Sequence, residues 1–129
     1  MKPIISLILA AALTGLCPGA DEVAKDQPLK VGQAAGKIAA GVQLLDVRTP
    51  EEWDEGHLKG AKRVGIADDD FVARVKEIFD PKKPVVVYCR SGKRSAKAAK
   101  QLQDAGFTNL HDMAGGIIAW QKEGKPVVK

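Results

Sequence analysis

Val85-Val86-Val87-Tyr88-Cys89-Arg90-Ser91-Gly92-Lys93-Arg94-Ser95 is the stretch that decides how this chain is built. Four apolar or β-preferring residues read as a buried strand, and the alanine-rich segment that follows Ser95 reads as a helix, running to Ala105 with Gly106 as its stop. Cys89 therefore opens a loop wedged between a strand end and a helix start. Backbone N–H groups converge at such a loop and the helix dipole presents its positive end, so the position stabilises an anion at sulfur. Arg90, Lys93 and Arg94 add positive charge to the same place.

Working outward, the pattern repeats. Upstream, Leu29-Lys30-Val31 reads as a short first strand and Gln33 to Ala40 as a helix that Gly41 ends. Val42 to Val47 has the mostly apolar character of a buried parallel strand. Thr49-Pro50-Glu51-Glu52 carries a cap, a first-turn proline and first-turn acids, which predicts a short helix ending near Gly56. Ala61 to Ile66 is a further candidate strand. Asp68-Asp69-Asp70 reads as cap and dipole complement for a helix whose stripe is Phe71, Val72, Val75, Ile78 and Phe79, rather than as a metal site. Downstream, Asn109-Leu110-His111 is expected as the last strand and Gly116 to Glu123 as the last helix. Alternation of strands and helices predicts an α/β fold with a central, mostly parallel sheet of about five strands and helices on both faces. Ligands in such sheets bind beyond the carboxyl ends of the strands, where Cys89 falls.

At 129 residues the chain supports one domain, with 45% hydrophobic residues to bury. Residues 1–20 stand apart. Lys2 precedes an apolar run from Ile4 to Leu16 that ends in Cys17-Pro18-Gly19-Ala20, the pattern of a secretory signal peptide and too short for a membrane span. Cleavage after Gly19 or Ala20 is expected, which implies an exported, periplasmic mature protein. A lipoprotein anchored at Cys17 and an uncleaved anchor are the alternatives. Residues 21–28 read as a linker, 29–125 as the domain and 126–129 as a tail.

Cleavage leaves Cys89 as the one thiol, so no disulfide forms within the mature chain, and an unpaired cysteine among Arg, Ser, Gly and Lys is a poor candidate for greasy burial. The net charge of +4 becomes +3 without Lys2, which is too mild to imply a nucleic-acid partner. Its distribution is uneven: Lys82 to Lys100 contains seven basic residues and no acid. Lys97 and Lys100 read as a solvated helix face, whereas the loop arginines flank the sulfur. Two histidines and a thiol far apart in sequence make no zinc site, and neither metal nor cofactor is expected.

Three stretches together resemble the rhodaneses, the sulfurtransferase family. Leu45-Asp46-Val47-Arg48-Thr49-Pro50-Glu51-Glu52-Trp53 with Glu55-Gly56-His57-Leu58-Lys59-Gly60-Ala61 is similar to the family's amino-terminal signature. The Cys89–Ser95 stretch resembles its active-site loop, and Met113-Ala114-Gly115-Gly116-Ile117-Ile118-Ala119-Trp120 its closing motif. Lys59 departs from the usual proline and Trp53 from the usual Phe or Tyr. The resemblance covers Leu29 to Lys125 and implies a rhodanese-like fold in one copy, as in the small exported members.

It also implies a two-step, covalent reaction. Cys89, as thiolate, takes the outer sulfur of a donor such as thiosulfate, becomes a persulfide, and passes that sulfur to cyanide or a thiol. The loop amides from about Ser91 to Ser95 are expected to cradle the persulfide or the departing oxyanion, with Gly92 supplying backbone freedom. Arg90 and Arg94 are expected at the sulfonate end of thiosulfate, with Lys93 and Ser95 completing the loop's anion site. Asp46 is expected to orient Arg48 or a loop amide, His57 to tie loops by hydrogen bonds, and Trp120 to cover the core over the last helix. The expected partners are a small anionic sulfur donor and a thiol or cyanide acceptor, with no stable membrane insertion and a monomeric state. A cysteine phosphatase is a rival reading, but its Cys-x5-Arg motif is missing because the sixth residue after Cys89 is Ser95. A persulfide carrier in a sulfur relay, with little thiosulfate turnover, is the alternative from a binding class.

Overall fold

A computed structural model describes residues 28–129. The expected leader, Cys17 and all of the linker except Pro28 lie outside the described residues.

The elements run α1 (Val31–Ala39), β1 (Gln43–Asp46), α2 (Pro50–Glu55), β2 (Lys62–Arg63), α3 (Phe71–Ile78), β3 (Val85–Tyr88), α4 (Lys93–Asp104), β4 (Leu110–Asp112) and α5 (Gly116–Lys122). The four strands form one sheet in the order β2-β1-β3-β4, and every pairing is parallel. Leu29 does not open a strand. It makes a single parallel bridge to Met113 at the β4 edge, so the expected fifth strand is reduced to one residue. Lys30 is already the cap of α1, its amide donating to Gln33 Oε1, and a chain committed to a helix at Val31 has no length left for a ladder.

β3 is central and all four of its residues are buried, as its unbroken apolar run requires. Its side chains alternate between two cores. Val85, Val87 and Cys89 join Leu45, Val75, Ala98, Leu102 and Phe107 on the face covered by α3 and α4. Val86 and Tyr88 join Leu44, Ala34, Ile117 and Trp120 on the face covered by α1 and α5. The period of two thus sends the Cys89 side chain toward α4.

α2 begins as its sequence predicts. Glu52 N–H donates to Thr49 Oγ1 while Glu52 Oε1 accepts from the Thr49 amide, a reciprocal capping box with Pro50 in the first turn. The acidic triplet behaves differently. Asp70 stands before α3 in a left-handed conformation, φ 58°, and its side chain makes no cap. Asp68 holds this corner instead: its carboxylate accepts from the Gly65 amide and pairs with Arg63 and Arg74. The β2 stretch pairs over only two residues of the six expected, Lys62 and Arg63. Residues beyond 125 are bound to the domain rather than trailing from it, since Val128 bridges His57 and the Trp120 indole N–H donates to the Pro126 carbonyl.

Candidate active site

Cys89 follows the last residue of β3, at the carboxyl edge of the sheet, and is 1% exposed in an apolar cluster with Val87, Ala98 and Leu102. Its polar sequence neighbours argue against such burial, but strand alternation turns its side chain inward while theirs lie in the loop. Gly92 precedes α4 with φ 111°, a left-handed conformation that turns its amide back on the chain. That amide donates to Cys89 Sγ at 3.0 Å. The first-turn amides of α4, from Lys93 on, have no acceptor within the helix and project from its N-terminal end, so the loop offers donors to an anion built outward from sulfur. Ser91 and Lys93 are exposed, and no side-chain hydrogen bond holds either among the described residues.

The closing motif supports the loop from the opposite side. Ile117 N–H donates to the Cys89 carbonyl at 2.9 Å and Ile118 N–H to the Arg90 carbonyl at 3.2 Å. Gly116, with φ 61°, lies so close to those two carbonyls that a Cβ there would clash with both. A Gly-Gly turn entering α5 is therefore what lets the helix end dock on the Cys89–Arg90 backbone.

The residues expected around Cys89 separate into three groups. Arg90 is exposed and forms no side-chain hydrogen bond or ion pair among the described residues. Arg94, by contrast, is bound bidentately by Glu52 of α2, at 2.7 and 2.8 Å. The pairing pulls the Glu52 carboxyl down to about 2 and raises Arg94, the mutual hydrogen bonds being the largest cause for each. A guanidinium held this way is braced toward α2 with three N–H donors still free, and the charge of Cys89 also raises it, so Arg94 stays near the sulfur while Arg90 is the loop arginine without an acidic partner.

Asp46, Arg48 and Tyr88 form the second group, beneath the loop. Arg48 grips the Asp46 carboxylate through Nε and Nη2 and donates a further bond to the Gly56 carbonyl at 2.7 Å. The Tyr88 hydroxyl donates to Asp46 Oδ2 at 2.6 Å and accepts from the Leu58 amide. Burial and the Asp46 charge push the Tyr88 phenol far above its ordinary range, so it stays a donor. His57 lies farther out, stacked on Trp53 at 3.4 Å, with Nδ1 3.1 Å from the Trp53 carbonyl. Its backbone pairs with Val128, so it ties α2 to the carboxyl-terminal segment.

Ser95 and Asp112 are the third group. Ser95 is fully buried, and its hydroxyl lies 2.5 Å from Asp112 Oδ1 and 3.2 Å from the Gly92 carbonyl. Asp112 ends β4 and carried no signal in the sequence, where the strand was expected to stop at His111. Glu52, visible beforehand only as a first-turn acid, and Tyr88, visible only as a strand residue, also gain their roles here.

A cleft of about 270 Å3 opens beside Arg90, lined by Arg48, Glu52 and Gln121 and floored by Ile117 and Ile118. No cluster of His, Cys, Asp and Glu able to hold a metal occurs among the described residues. Nor is any described helix long and apolar enough to cross a membrane.

A parallel sheet of this order, with a cysteine-led loop at the end of its central strand and a glycine pair docked against it, defines an α/β domain built around a cysteine loop. The rhodanese-like domain family matches residues 30–123, and the chain belongs to that family. It is 39% identical over 116 residues to thiosulfate sulfurtransferase 16, chloroplastic, of Arabidopsis thaliana, covering 83% of this chain and 97% of that protein. It is 40% identical over 88 residues to a sulfurtransferase of Allochromatium vinosum, covering 67% and 78%. Among solved structures, a rhodanese-related protein of Thermoplasma volcanium superposes with a TM-score of 0.66 at 28% identity, over 79% of this chain and 97% of that one.

Proposed function

We infer that the protein is a thiosulfate sulfurtransferase working through a persulfide on Cys89, in the exported compartment that the leader implies. The observation that carries this reading is the buried Cys89 sulfur meeting the Gly92 amide at the N-terminal end of α4. The thiolate of Cys89 attacks the sulfane sulfur of thiosulfate, the S–S bond of the donor breaks, and sulfite leaves with the electron pair. Cyanide or a thiolate then attacks the outer sulfur of the persulfide, and Cys89 departs as thiolate. Each half-reaction moves an anion into or out of the loop. Preorganised amides and the open Arg90 guanidinium stabilise those anions without reorganising as they form. A Cys89 sulfur recessed below the surface favours a slim donor over a bulky one, and the cleft beside Arg90 offers room for the sulfonate or for an acceptor thiol.

The test is thiocyanate formation from thiosulfate and cyanide. The wild type turns over, and Cys89→Ser falls by roughly 10³-fold or more, to background. Arg90→Ala raises KM for thiosulfate about tenfold with kcat nearly kept, since a charge-assisted bond to the ground-state anion is lost. Mass spectrometry of protein treated with thiosulfate, without reductant, finds one added sulfur on the Cys89 peptide. Activity surviving in Cys89→Ser overturns the reading, whereas a protein that loads sulfur with negligible turnover is the carrier of a relay.

A further inference from the structure

Asp112 is the half-buried carboxylate of the site without a cationic partner. Burial raises its carboxyl to about 6, and only the Ser95 hydroxyl opposes that rise. The elements packed against it bring no charge to it. α4 supplies Ser95, β3 pairs through Val87, and Leu29 donates its amide to the Asp112 carbonyl rather than to the side chain. His111, its neighbour on β4, has its Nε2 against Asn109, and no salt bridge reaches Asp112 among the described residues.

The Ser95 hydroxyl has one proton and two acceptors in reach, Asp112 Oδ1 and the Gly92 carbonyl. With Asp112 ionised, the charged acceptor takes that proton, and the Gly92 carbonyl keeps only the Ala96 amide, at 3.2 Å. With Asp112 protonated, its own O–H donates to Ser95 Oγ and the serine proton turns to Gly92. Gly92 is the residue whose amide meets the sulfur, held in a left-handed conformation by its few hydrogen bonds. We propose that Asp112 is a positioning residue for the active-site loop, acting through Ser95 on the Gly92 carbonyl to set how firmly Gly92 is held, and with it the Ser91–Gly92 amide that meets the Cys89 sulfur. The charge on Asp112 thereby reaches the sulfur through one hydroxyl and one glycine. Ionisation slackens the Gly92 anchor and adds a negative charge behind the loop, both adverse to an anionic sulfur.

The inference rests on Cys89 as the reacting atom, and its test needs no sulfur donor, so it stands or falls separately from the proposed activity. The rate of Cys89 alkylation by iodoacetamide is measured from pH 4.5 to 9. In the wild type the profile departs from a single-ionisation curve by about fivefold, the worth of one ordinary hydrogen bond, with a break near pH 6. Asp112→Asn, which keeps an acceptor for Ser95 but no charge to titrate, follows a single ionisation. Ser95→Ala does the same with Asp112 still present. A carbon-detected NMR titration of the Asp112 carboxyl in the unaltered protein gives a midpoint of about 6. A wild-type profile without the break, a break that persists in Asp112→Asn, or one that persists in Ser95→Ala overturns the proposal. The NMR midpoint, with the wild-type profile, decides the matter even where a variant fails to fold.

Discussion

Two aspartates end strands on either side of β3, and the protein treats them in opposite ways. Asp46, at the end of β1, is fully buried and saturated: two guanidinium nitrogens of Arg48, the Arg48 amide and the Tyr88 hydroxyl all donate to it. Asp112, at the end of β4, has one hydroxyl. A buried charge with a full set of donors behaves as a rigid rivet, because moving any partner leaves another unsatisfied. One with a single neutral partner sits near its titration point and responds to conditions. The carboxylate at the β1 end is therefore fixed, while the one at the β4 end is the one we propose to respond.

Breaking the rivet gives the largest expected effect. Asp46→Ala strands Arg48, 4% exposed, without its counter-ion and costs about 3–5 kcal/mol of unfolding free energy, measured by denaturant titration. A loss below about 1 kcal/mol means that the pair is not structural and the contrast fails. Tyr88→Phe removes the donor to Asp46 and the acceptor for the Leu58 amide. It costs about 1–3 kcal/mol in the same experiment and leaves Arg48 paired.

Glu52→Gln sharpens the comparison with a third carboxylate, half-buried like Asp112 but paired with a cation. Its folded-state value near 2 lies below the ordinary 4.5, so its contribution is present above about pH 4.5 and is lost as pH falls toward 2. Glu52→Gln is expected to lose about 1 kcal/mol at pH 7 and close to nothing at pH 2. The released Arg94 then competes with Arg90 for thiosulfate, read as a lower KM.

The smallest effect has the opposite sign. Asp112 titrates higher in the folded protein than its ordinary 3.8, so its contribution to stability is present below that value and is lost as pH rises through about 6. Asp112→Asn is accordingly expected to melt slightly above the wild type at pH 8 and level with it at pH 4. A variant that melts lower at both pH values makes Asp112 a second rivet.

Much of this was legible in the chain. The cap at Thr49, the strand from Val85 to Tyr88, and the loop from Cys89 to a helix start are local patterns, fixed by torsions and hydrogen bonds within a few residues. The less regular elements were harder to read. Leu29 had the composition of a strand but lost its neighbours to α1, and the Asp68-Asp69-Asp70 run became an ion-pair corner because Arg63 and Arg74 fold onto it. Arg94 was expected at the substrate, and its partner Glu52 stands 42 positions earlier. Asp112 bonds Ser95 across 17 positions.

From residue order alone came the cysteine-led loop at a strand end, its positive charge and the alternating α/β layout, since each depends on neighbours the backbone itself supplies. Which arginine stays open, which carboxylate is neutralised and which is left exposed to titration were decided by the folded sheet. It brings the ends of β1, β3 and β4 to one edge, and a charge's environment is set by what lies near it in space.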